Sequence, residues 1–391
     1  MRTSATELRV LGTKEQLLES IRERAESDLG IRVYYTALDG MSALQRAILN
    51  PESFDVYDQW HTSDLAWTAR AIQPIAIDRI VRWEEIGTLS LTGRFDSWSK
   101  GAQGDAPGRK LWSQANGTLG STPSGYVSMV PTVYNADSPG FLPEARQLID
   151  PSEPESWSWL LDERLRGRVA IMADPSLGVI ECAMAAQAAG LATFSDLGNL
   201  TITEIDILID ILMKKKKSQH FAGFWSTFED AVQLVECEDV LVQSIWSPAV
   251  TALRARGWEM AVSHPVEGSR GWHSGLCLSS RADPKVMDAA YAYFNWWLEG
   301  WAGAQLARRG YYMSVPERTR AHLSDAEWSY WYLGLPAREN ILDNEGGVVA
   351  HAGQKRDGGS YRDRLSRIAV WNSFMDEHNY LVRRWNEFLA S

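Results

Sequence analysis

The stretch Val240–Ser280, VLVQSIWSPAVTALRARGWEMAVSHPVEGSRGWHSGLCLSS, decides the fold of this 391-residue chain. It opens with the apolar run Val240–Ile245, which is typical of a buried strand. Ser247 and Pro248 suit the cap and the first turn of a short helix, and Gly257 suits its end. The stretch therefore begins as a strand–helix unit.

The second half of the stretch predicts two further strands, Trp258–Val262 and Ser274–Ser280. The turn-rich segment Glu267–Gly271 lies between them. Trp246 and Trp272 thus stand at strand ends, near a reversal of the chain. Ligands of open α/β sheets bind at strand ends, so both side chains are candidates for a binding site.

The N-terminal part of the chain alternates strands with helices. Strands are predicted at Leu8–Gly12, Ile31–Ala37 and Phe54–Asp58, and helices at Lys14–Leu29 and Met41–Leu49. Such alternation indicates a parallel sheet with helices on its faces. The region contains neither GxGxxG nor GxxxxGK[ST], so a nucleotide-binding fold has no support.

Similar units follow further along the chain. Tyr126–Pro131 and Arg168–Ala173 read as strands, and Asp174–Pro175–Ser176 caps a helix that follows. Thr201–Lys217 is a predicted helix, and its lysine-rich end suits the helix dipole. The amphipathic tail, Arg362–Leu389, is expected to pack back on the body of the protein.

The ordered set in the opening stretch resembles the periplasmic solute-binding proteins of ABC importers, in the spermidine/putrescine-binding-like branch. The resemblance rests on Trp246, on Gly257 and on the pattern Pro-x-Glu-Gly-x-x-x-Trp at Pro265–Trp272. Pro154–Gly167 and the closing segment Tyr311–Pro316 resemble the same family.

The resemblance implies a two-lobed α/β fold, the type II periplasmic-binding-protein fold. Each lobe is a sheet flanked by helices, and a ligand cleft lies between the lobes. Lobe I is expected to comprise residues 1–132 and 260–391, including the C-terminal helices, and lobe II residues 133–259.

The implied function is that of an extracytoplasmic receptor. It captures a small polar organic solute, an amine or a carboxylate, by hinge closure and delivers it to ABC permease subunits in the membrane. We expect a monomer that is not an enzyme. Two alternatives stay open: an enzyme or sensor domain on the same scaffold, and a cytoplasmic structural protein without a ligand.

Composition narrows the class of partner and the compartment. Apolar residues at 45% and charged residues at 23% are ordinary for a soluble globular protein. The net charge of −11 argues against nucleic acid as a partner. The chain has no apolar run long enough to span a bilayer and no signal peptide at Met1. The ordinary reading of these two absences is a cytoplasmic protein, whereas the resemblance implies a periplasmic protein whose leader has been removed.

Motifs for catalysis or metal binding are absent from the sequence. Cys182, Cys237 and Cys277 are scattered and odd in number, so neither a disulfide framework nor a zinc site is indicated. The seven His form no HExxH motif, and there is no GxSxG elbow. We therefore predict no cofactor, no metal and no catalytic residue.

The candidate ligand-binding residues follow predicted strands or match pocket positions of the resembling family. They are Asp58, Gln59, Trp60, Tyr134, Asn135, Asp137, Trp246, Arg270, Trp272, His273 and Ser274. The loops that carry Thr13, Lys14, Asp39 and Gly40 are also expected to face the cleft, although Thr13 and Asp39 have ordinary roles as a cap and a turn residue.

The ligand class stays open between a cation and a carboxylate. In the polyamine-binding branch an Asp two residues after the pocket Trp pairs with an amino group, but here that position is Ser274. A weak response to spermidine is therefore expected.

Asp58 or Asp137 restores a cation site if Trp60, Tyr134, Trp246 and Trp272 form an aromatic box. Alternatively, Arg270, His273 and Ser274 receive a carboxylate, since the Arg fork suits that group. The ordinary reading of Arg270 is an exposed turn residue.

Overall fold

The computed structural model describes residues 6–60, 63–95, 102–237 and 239–391. None of the helices in these ranges combines the length and the apolar character that crossing a membrane requires.

The strands of the described residues are named here in chain order. They are β1 (Glu7–Thr13), β2 (Arg32–Leu38), β3 (Val56–Trp60), β4 (Ile72–Gln73), β5 (Ile75–Ala76), β6 (Gln103–Gly104), β7 (Trp112–Ser113), β8 (Leu119–Gly120), β9 (Tyr126–Val127), β10 (Val130–Asp137), β11 (Pro139–Phe141), β12 (Val169–Met172), β13 (Phe221–Trp225), β14 (Val242–Ser244), β15 (Ala261–Val262), β16 (Ser269–Ser279), β17 (Tyr312–Met313), β18 (Ile341–Leu342), β19 (Val348–Ala350) and β20 (Ile368–Trp371).

The α-helices are named in the same way. They are α1 (Glu19–Leu29), α2 (Gly40–Leu49), α3 (Ser63–Thr68), α4 (Thr88–Thr92), α5 (Ala145–Leu148), α6 (Pro175–Ala188), α7 (Ile202–Lys217), α8 (Phe228–Cys237), α9 (Ser247–Ala255), α10 (Met287–Trp297), α11 (Trp301–Ala307), α12 (Pro316–Arg320), α13 (Asp325–Trp331), α14 (Tyr361–Leu365) and α15 (His378–Ala390).

Two larger sheets organise the chain. A nine-stranded sheet has the central order β17-β10-β16-β3-β1-β2, and β4, β6 and β20 extend it. Strands β1, β2 and β3 run parallel, as their alternation with helices predicts, whereas β16 is antiparallel to both β3 and β10. The second sheet has the order β13-β12-β14-β11-β15.

The chain passes from one sheet to the other at two adjacent places. Strand β10 of the first sheet leads directly into β11 of the second through Ser138. The return lies between β15 and β16, and it is tied to the first passage because Ser138 Oγ donates to the carbonyl of Ser263 at 2.7 Å. The strands predicted at Leu8–Gly12 and Arg168–Ala173 accordingly lie in different sheets.

The last helix packs on the second sheet's side of the molecule, not with lobe I as the sequence suggested. Leu381, Trp385 and Phe388 of α15 belong to the same apolar cluster as α6, α7 and the five-stranded sheet. The Trp385 indole donates to the carbonyl of Ala173 at 2.7 Å. The apolar face of this amphipathic helix therefore packs against apolar side chains of α6, α7 and the second sheet.

Local signals explain most of the helix starts. Thr201 and Glu204 form a reciprocal capping box at α7, and the Asp174 carboxylate accepts the Ser176 N–H before Pro175-led α6. The first helix begins at Glu19, later than predicted, because hydrogen-bonded turns occupy the segment after β1.

The largest departure from the predicted elements is β16. The turn ends before Gly268, whose φ is +94°, and the strand starts at Ser269 instead of Ser274. Every residue of this strand is buried. Arg270 and Trp272 are therefore strand residues with defined faces, and Arg270 is not an exposed turn residue.

Candidate functional site

A cavity lies between the two sheets at the ends of their strands. The space that the centres of water molecules can occupy in this cavity has a volume of about 80 Å³. The lining residues come from both units, and they are Thr13, Lys14, Glu15, Gln16, Asp39, Gly40, Leu177, Ser226, Thr227, Glu229, Trp246, Arg270, Trp272, Tyr311 and Asn372.

The loops after β1 and β2 supply the first wall, as the sequence predicts for parallel strands. Thr13 ends β1, and its carbonyl accepts the N–H groups of Gln16 and Leu17, which folds the loop into a turn. Asp39 accepts the Ser42 N–H at 2.9 Å and caps α2. Asp39 therefore lines the cleft as expected, and its second role is that of a helix cap, which had been considered for Thr13.

Strand β16 supplies the second wall through its alternation. Arg270 and Trp272 line the cavity, and Ser274 on the same face donates to Gln16 Oε1 at 3.0 Å. His273 points to the opposite face, where its ring lies 6.0 Å from that of Trp371. Burial lowers the pKa of His273 to about 4, so the imidazole is neutral. The structure thus separates His273 from the other β16 candidates.

Arg270 is fully buried and is held by three side chains. Its Nε donates to Glu181 at 2.9 Å, its Nη1 to Asn372 at 2.7 Å and its Nη2 to Asp137 at 3.0 Å. Glu181 belongs to α6 on the second sheet's side, whereas Asp137 ends β10 of the first sheet. Burial raises the pKa of Asp137 to about 6 although Arg270 opposes the shift.

Aromatic rings form the apolar part of the cavity. Trp272 packs edge-on against Tyr311 with ring centroids 5.1 Å apart. Trp246, half-buried at the start of α9, packs edge-on against Trp225 at 5.0 Å. The three lining rings, Trp246, Trp272 and Tyr311, come from both sides of the cleft.

Carboxylates dominate the charged lining apart from Arg270. Glu15, Asp39 and Glu229 carry acidic groups, and Lys14 carries the opposing charge. The pKa of Glu15 is raised, first by burial and further by the nearby Glu229, against the hydrogen bond from Thr13 and the charge of Arg309. The acidic lining therefore includes side chains from both units.

Several predicted residues lie elsewhere. Tyr134 faces an aromatic cluster on the far side of β10, where its hydroxyl bonds that of Tyr361, because strand alternation sends only Asn135 and Asp137 to the other face. Asn135 donates to Ser247 Oγ at 2.7 Å. Neither Asn135 nor Asp137 lines the cavity, but Asp137 reaches it through Arg270.

Asp58 and Gln59 of β3 are likewise not in the cavity lining. Asp58 and Gln59 are buried within the first sheet. Both carboxylate oxygens of Asp58 lack a hydrogen-bond partner among the described residues, and burial raises its pKa to about 8. The backbone of Trp60 pairs with Ser274, but its side chain lies outside what the structure describes, as does His61.

Sequence reasoning missed the contributions of Glu15, Gln16, Leu177, Ser226, Thr227, Glu229 and Asn372, and it took Tyr311 only as part of a closing segment. Three of the missed residues have the feature that identified Trp246, which is a position directly after a strand. Ser226 and Thr227 come directly after β13, and Asn372 directly after β20. Applying the strand-end rule to every strand of both sheets finds these three residues.

Metal chemistry finds no support in the described ranges. In them no group of three His, Cys, Asp or Glu side chains is arranged to hold a metal ion.

Comparison with known proteins gives structural likenesses only. No protein-family model matches the sequence. No curated protein matches it at a significant level. Solved structures match over nearly the whole chain at low identity.

The spermidine/putrescine ABC transporter substrate-binding protein PotD from Streptococcus pneumoniae is one such structure. It has a TM-score of 0.63 and 13% identity, over 98% of this chain and 99% of that chain. The TpPotD lipoprotein of Treponema pallidum has a TM-score of 0.64 and 14% identity, over 98% and 99%.

A third likeness has a different ligand in its description. It is the PBP AgtB of Agrobacterium tumefaciens R10 in complex with agropinic acid, with a TM-score of 0.59 and 11% identity over 99% of each chain. At these identities the likeness establishes the fold, and the two-lobed α/β fold expected from the sequence is confirmed.

Proposed function

We propose, from the fold that this chain shares with ABC-transporter substrate-binding proteins, that it is an extracytoplasmic receptor for a small organic solute. It closes two lobes on the solute and delivers it to permease subunits in the membrane. The observation that carries the proposal is the cavity between the sheets, because residues of both units line it. The receptor acts as a monomer, outside the cytoplasm and without catalysis.

The lobes that move are divided close to the predicted boundaries, but the passages between the sheets shift them. Lobe I runs to the end of β10 at Asp137 and again from the start of β16 at Ser269 to the end of β20, and lobe II contains β11 to β15. Helix α15 moves with lobe II, because its apolar face is buried against α6 and α7. The passages at Ser138 and between β15 and β16 are the hinge strands.

The solute is a small organic cation. Glu15 and Glu229 place carboxylates in the lining from opposite lobes, and a cation between them relieves their mutual repulsion. Trp246, Trp272 and Tyr311 offer ring faces, and a cation over such a face gains about 0.5–2 kcal/mol. The same arrangement couples closure to the charge of the solute, since each lobe supplies one carboxylate.

A carboxylate solute is disfavoured because Arg270 already has two carboxylate partners. Asp137 and Glu181 occupy its fork at 3.0 and 2.9 Å. The neutral His273 lies on the other face of β16 and adds no positive charge to the cavity. An incoming anion has no free cation at Arg270 and meets a lining in which the carboxylates of Glu15, Asp39 and Glu229 outnumber the ammonium group of Lys14.

The experiment is a binding screen on the purified protein with matched carboxylate variants. Thermal-shift and calorimetric titrations compare small organic amines with small organic acids of equal length. We expect amines to bind and Glu15→Gln and Glu229→Gln to weaken them about tenfold each. Glu345→Gln is the control, because Glu345 is exposed and outside the cavity lining.

Two outcomes contradict the proposal. Tighter binding of acids than of amines contradicts the ligand class. Chemical conversion of a bound amine, seen by mass analysis after incubation, contradicts the assignment as a receptor and favours an enzyme on the same scaffold.

A further inference from the structure

Asn372 lines the cavity, and its side-chain donor has no partner among the described residues. The residue follows β20 and is 1% exposed, and its backbone N–H donates to the carbonyl of Gly271 at 2.8 Å. Its side-chain Oδ1 accepts from Arg270 Nη1 at 2.7 Å, which fixes the orientation of the amide. Its Nδ2 then meets no acceptor in the described part of the chain.

An unsatisfied donor in a buried position costs free energy that a ligand acceptor recovers. Asn372 borders the space in which the solute is held, so a solute oxygen is the natural partner of Nδ2. The cavity therefore contains two kinds of polar feature. Glu15 and Glu229 suit a cation, and Asn372 suits an acceptor.

Charge decides which acceptor this is. Arg270 contacts Asp137 and Glu181, and Arg364 also acts on Asp137, so the cluster holds two arginines and two carboxylates. It has no net positive charge to offer. A carboxylate brought against Asn372 becomes an unpaired buried anion, which is costly, whereas a neutral oxygen is not.

The uncharged groups that accept a hydrogen bond from Asn372 include a hydroxyl and a carboxamide. Glu181, in the same cluster, is 2% exposed and lies outside the cavity lining, so its Oε2, which has no partner among the described residues, does not contact the solute. A hydroxyl or a carboxamide both accepts and donates hydrogen bonds, whereas a carboxylate only accepts and an ammonium only donates.

We propose that the solute carries an ammonium group at one end and an uncharged hydroxyl or carboxamide at the other, and that Asn372 is the residue that selects the uncharged end. This inference rests on the proposed function, because it takes the cation site as given. Asn372 acts by direct contact with the solute, in contrast to Arg270, which orients it.

The test uses five probes that share a four-carbon amine. Butylamine has no second polar group, 4-aminobutanamide and 4-amino-1-butanol have a neutral one, 4-aminobutanoate has a carboxylate, and putrescine has a second ammonium. Calorimetric titration is expected to show the amide and the alcohol binding at least tenfold more tightly than butylamine. The acid and the diamine are expected to gain nothing over butylamine.

The variant Asn372→Asp tests the role of the Nδ2 donor while it keeps the contact with Arg270. The Asp keeps an oxygen for Arg270 but replaces the Nδ2 donor with an acceptor. We expect this variant to lose the advantage of the carboxamide and the alcohol over butylamine. The control is Asn344→Asp, at an exposed position outside the cavity lining, which is expected to leave the order of probes unchanged.

The possible failures are distinguishable. If 4-aminobutanoate or putrescine is the tightest probe, the uncharged-end inference is overturned while the cation site stands. If no amine binds, including butylamine, the proposed function itself fails. The probe series on the unaltered protein decides the inference even if Asn372→Asp does not fold.

Discussion

Arg270 and Glu181 form an ion pair at 2.9 Å that joins β16 of the first sheet to α6 beside the second, with both side chains excluded from water. Asp137 and Asn372 complete the contacts of the same guanidinium. One side chain thus links the end of β10, the start of β16 and the end of β20. These are the segments through which the chain leaves or enters the first sheet.

Arg270→Met is expected to destabilise the fold strongly at neutral pH. The change leaves two buried carboxylates, Asp137 and Glu181, without their cation, and breaking a buried pair in this way costs about 3–5 kcal/mol. The loss is expected to shrink near pH 5, because burial raises the pKa of Asp137 to about 6 and its carboxyl group is then protonated. Urea unfolding at the two pH values measures it.

Arg164→Met is the matched control for that prediction. Arg164 pairs with Glu153 and Asp162, but its side chain is 42% exposed. Exposed pairs contribute about 0–1 kcal/mol, so a small change is expected. An equally large loss at both positions contradicts the role assigned to burial.

Asp58→Asn is expected to remove a pH dependence of stability. Burial raises the pKa of Asp58 to about 8. The folded protein therefore holds a proton that the unfolded chain has released above about pH 4, and stability falls as pH rises from there to about pH 8. The variant has no such proton.

The measurement is the free energy of unfolding at pH 5 and pH 8 for both proteins. Each unit of pKa shift corresponds to about 1.4 kcal/mol, so the unaltered protein is expected to lose several kcal/mol over this range. The variant is expected to be the more stable of the two at pH 8. Parallel curves for the two proteins contradict the prediction.

Trp272→Ala and Trp246→Ala are expected to differ in how much each lowers the stability of the fold relative to the affinity for ligand. Trp272 is 7% exposed, packs in the apolar core around the first sheet and also lines the cavity, so its loss lowers both stability, by about 3–5 kcal/mol, and ligand affinity. Trp246 is half-buried, so affinity falls with a smaller loss of stability. Urea midpoints and titration with the bound amine measure the two effects.

Trp385→Ala serves as the reference for a purely structural tryptophan. It is a fully buried residue of α15 and lies outside the cavity lining. We expect Trp385→Ala to lower the free energy of unfolding and to leave the ligand affinity of the folded protein unchanged. Unchanged affinity in all three variants contradicts the placement of the cavity.

Gly178→Ala is expected to be destabilising in spite of the helix preference of Ala. A Cβ at this position of α6 lies 2.6 Å from Trp385 Cζ2 and 2.7 Å from the carbonyl oxygen of Met172. Overpacking of this kind costs about 1–3 kcal/mol. Gly125→Ala is the control, since its Cβ meets nothing within 4 Å. Thermal unfolding compares the two, and equal midpoints contradict the tight contact.

The sequence predicted the fold because its signals are local. Runs such as Leu8–Gly12 and caps such as Thr201 depend on neighbouring residues, and strand ends such as Trp246 follow from strand positions. The face on which a strand residue lies depends on where pairing begins. Because β16 starts at Ser269, Arg270 and Trp272 share the cavity face while His273 does not.

Residues that act through distant partners were beyond such reasoning. The fork of Arg270 suggested a carboxylate ligand, and only the fold brings Asp137 and Glu181 to occupy it. Tyr134 reads as a pocket residue until Tyr361, from the far end of the chain, covers it. Charge complementarity between remote segments is a property of the tertiary structure, and spacing along the chain does not encode it visibly.

The position of α15 has a consequence for how the protein is made. The Trp385 indole bonds a carbonyl 212 positions earlier in the sequence, so lobe II completes its core only after nearly all of the chain has been synthesised. At roughly 5–20 residues per second, the apolar faces of α6 and α7 wait about ten seconds or more for their cover. Nascent chains that lack this helix are expected to be the form most in need of chaperones.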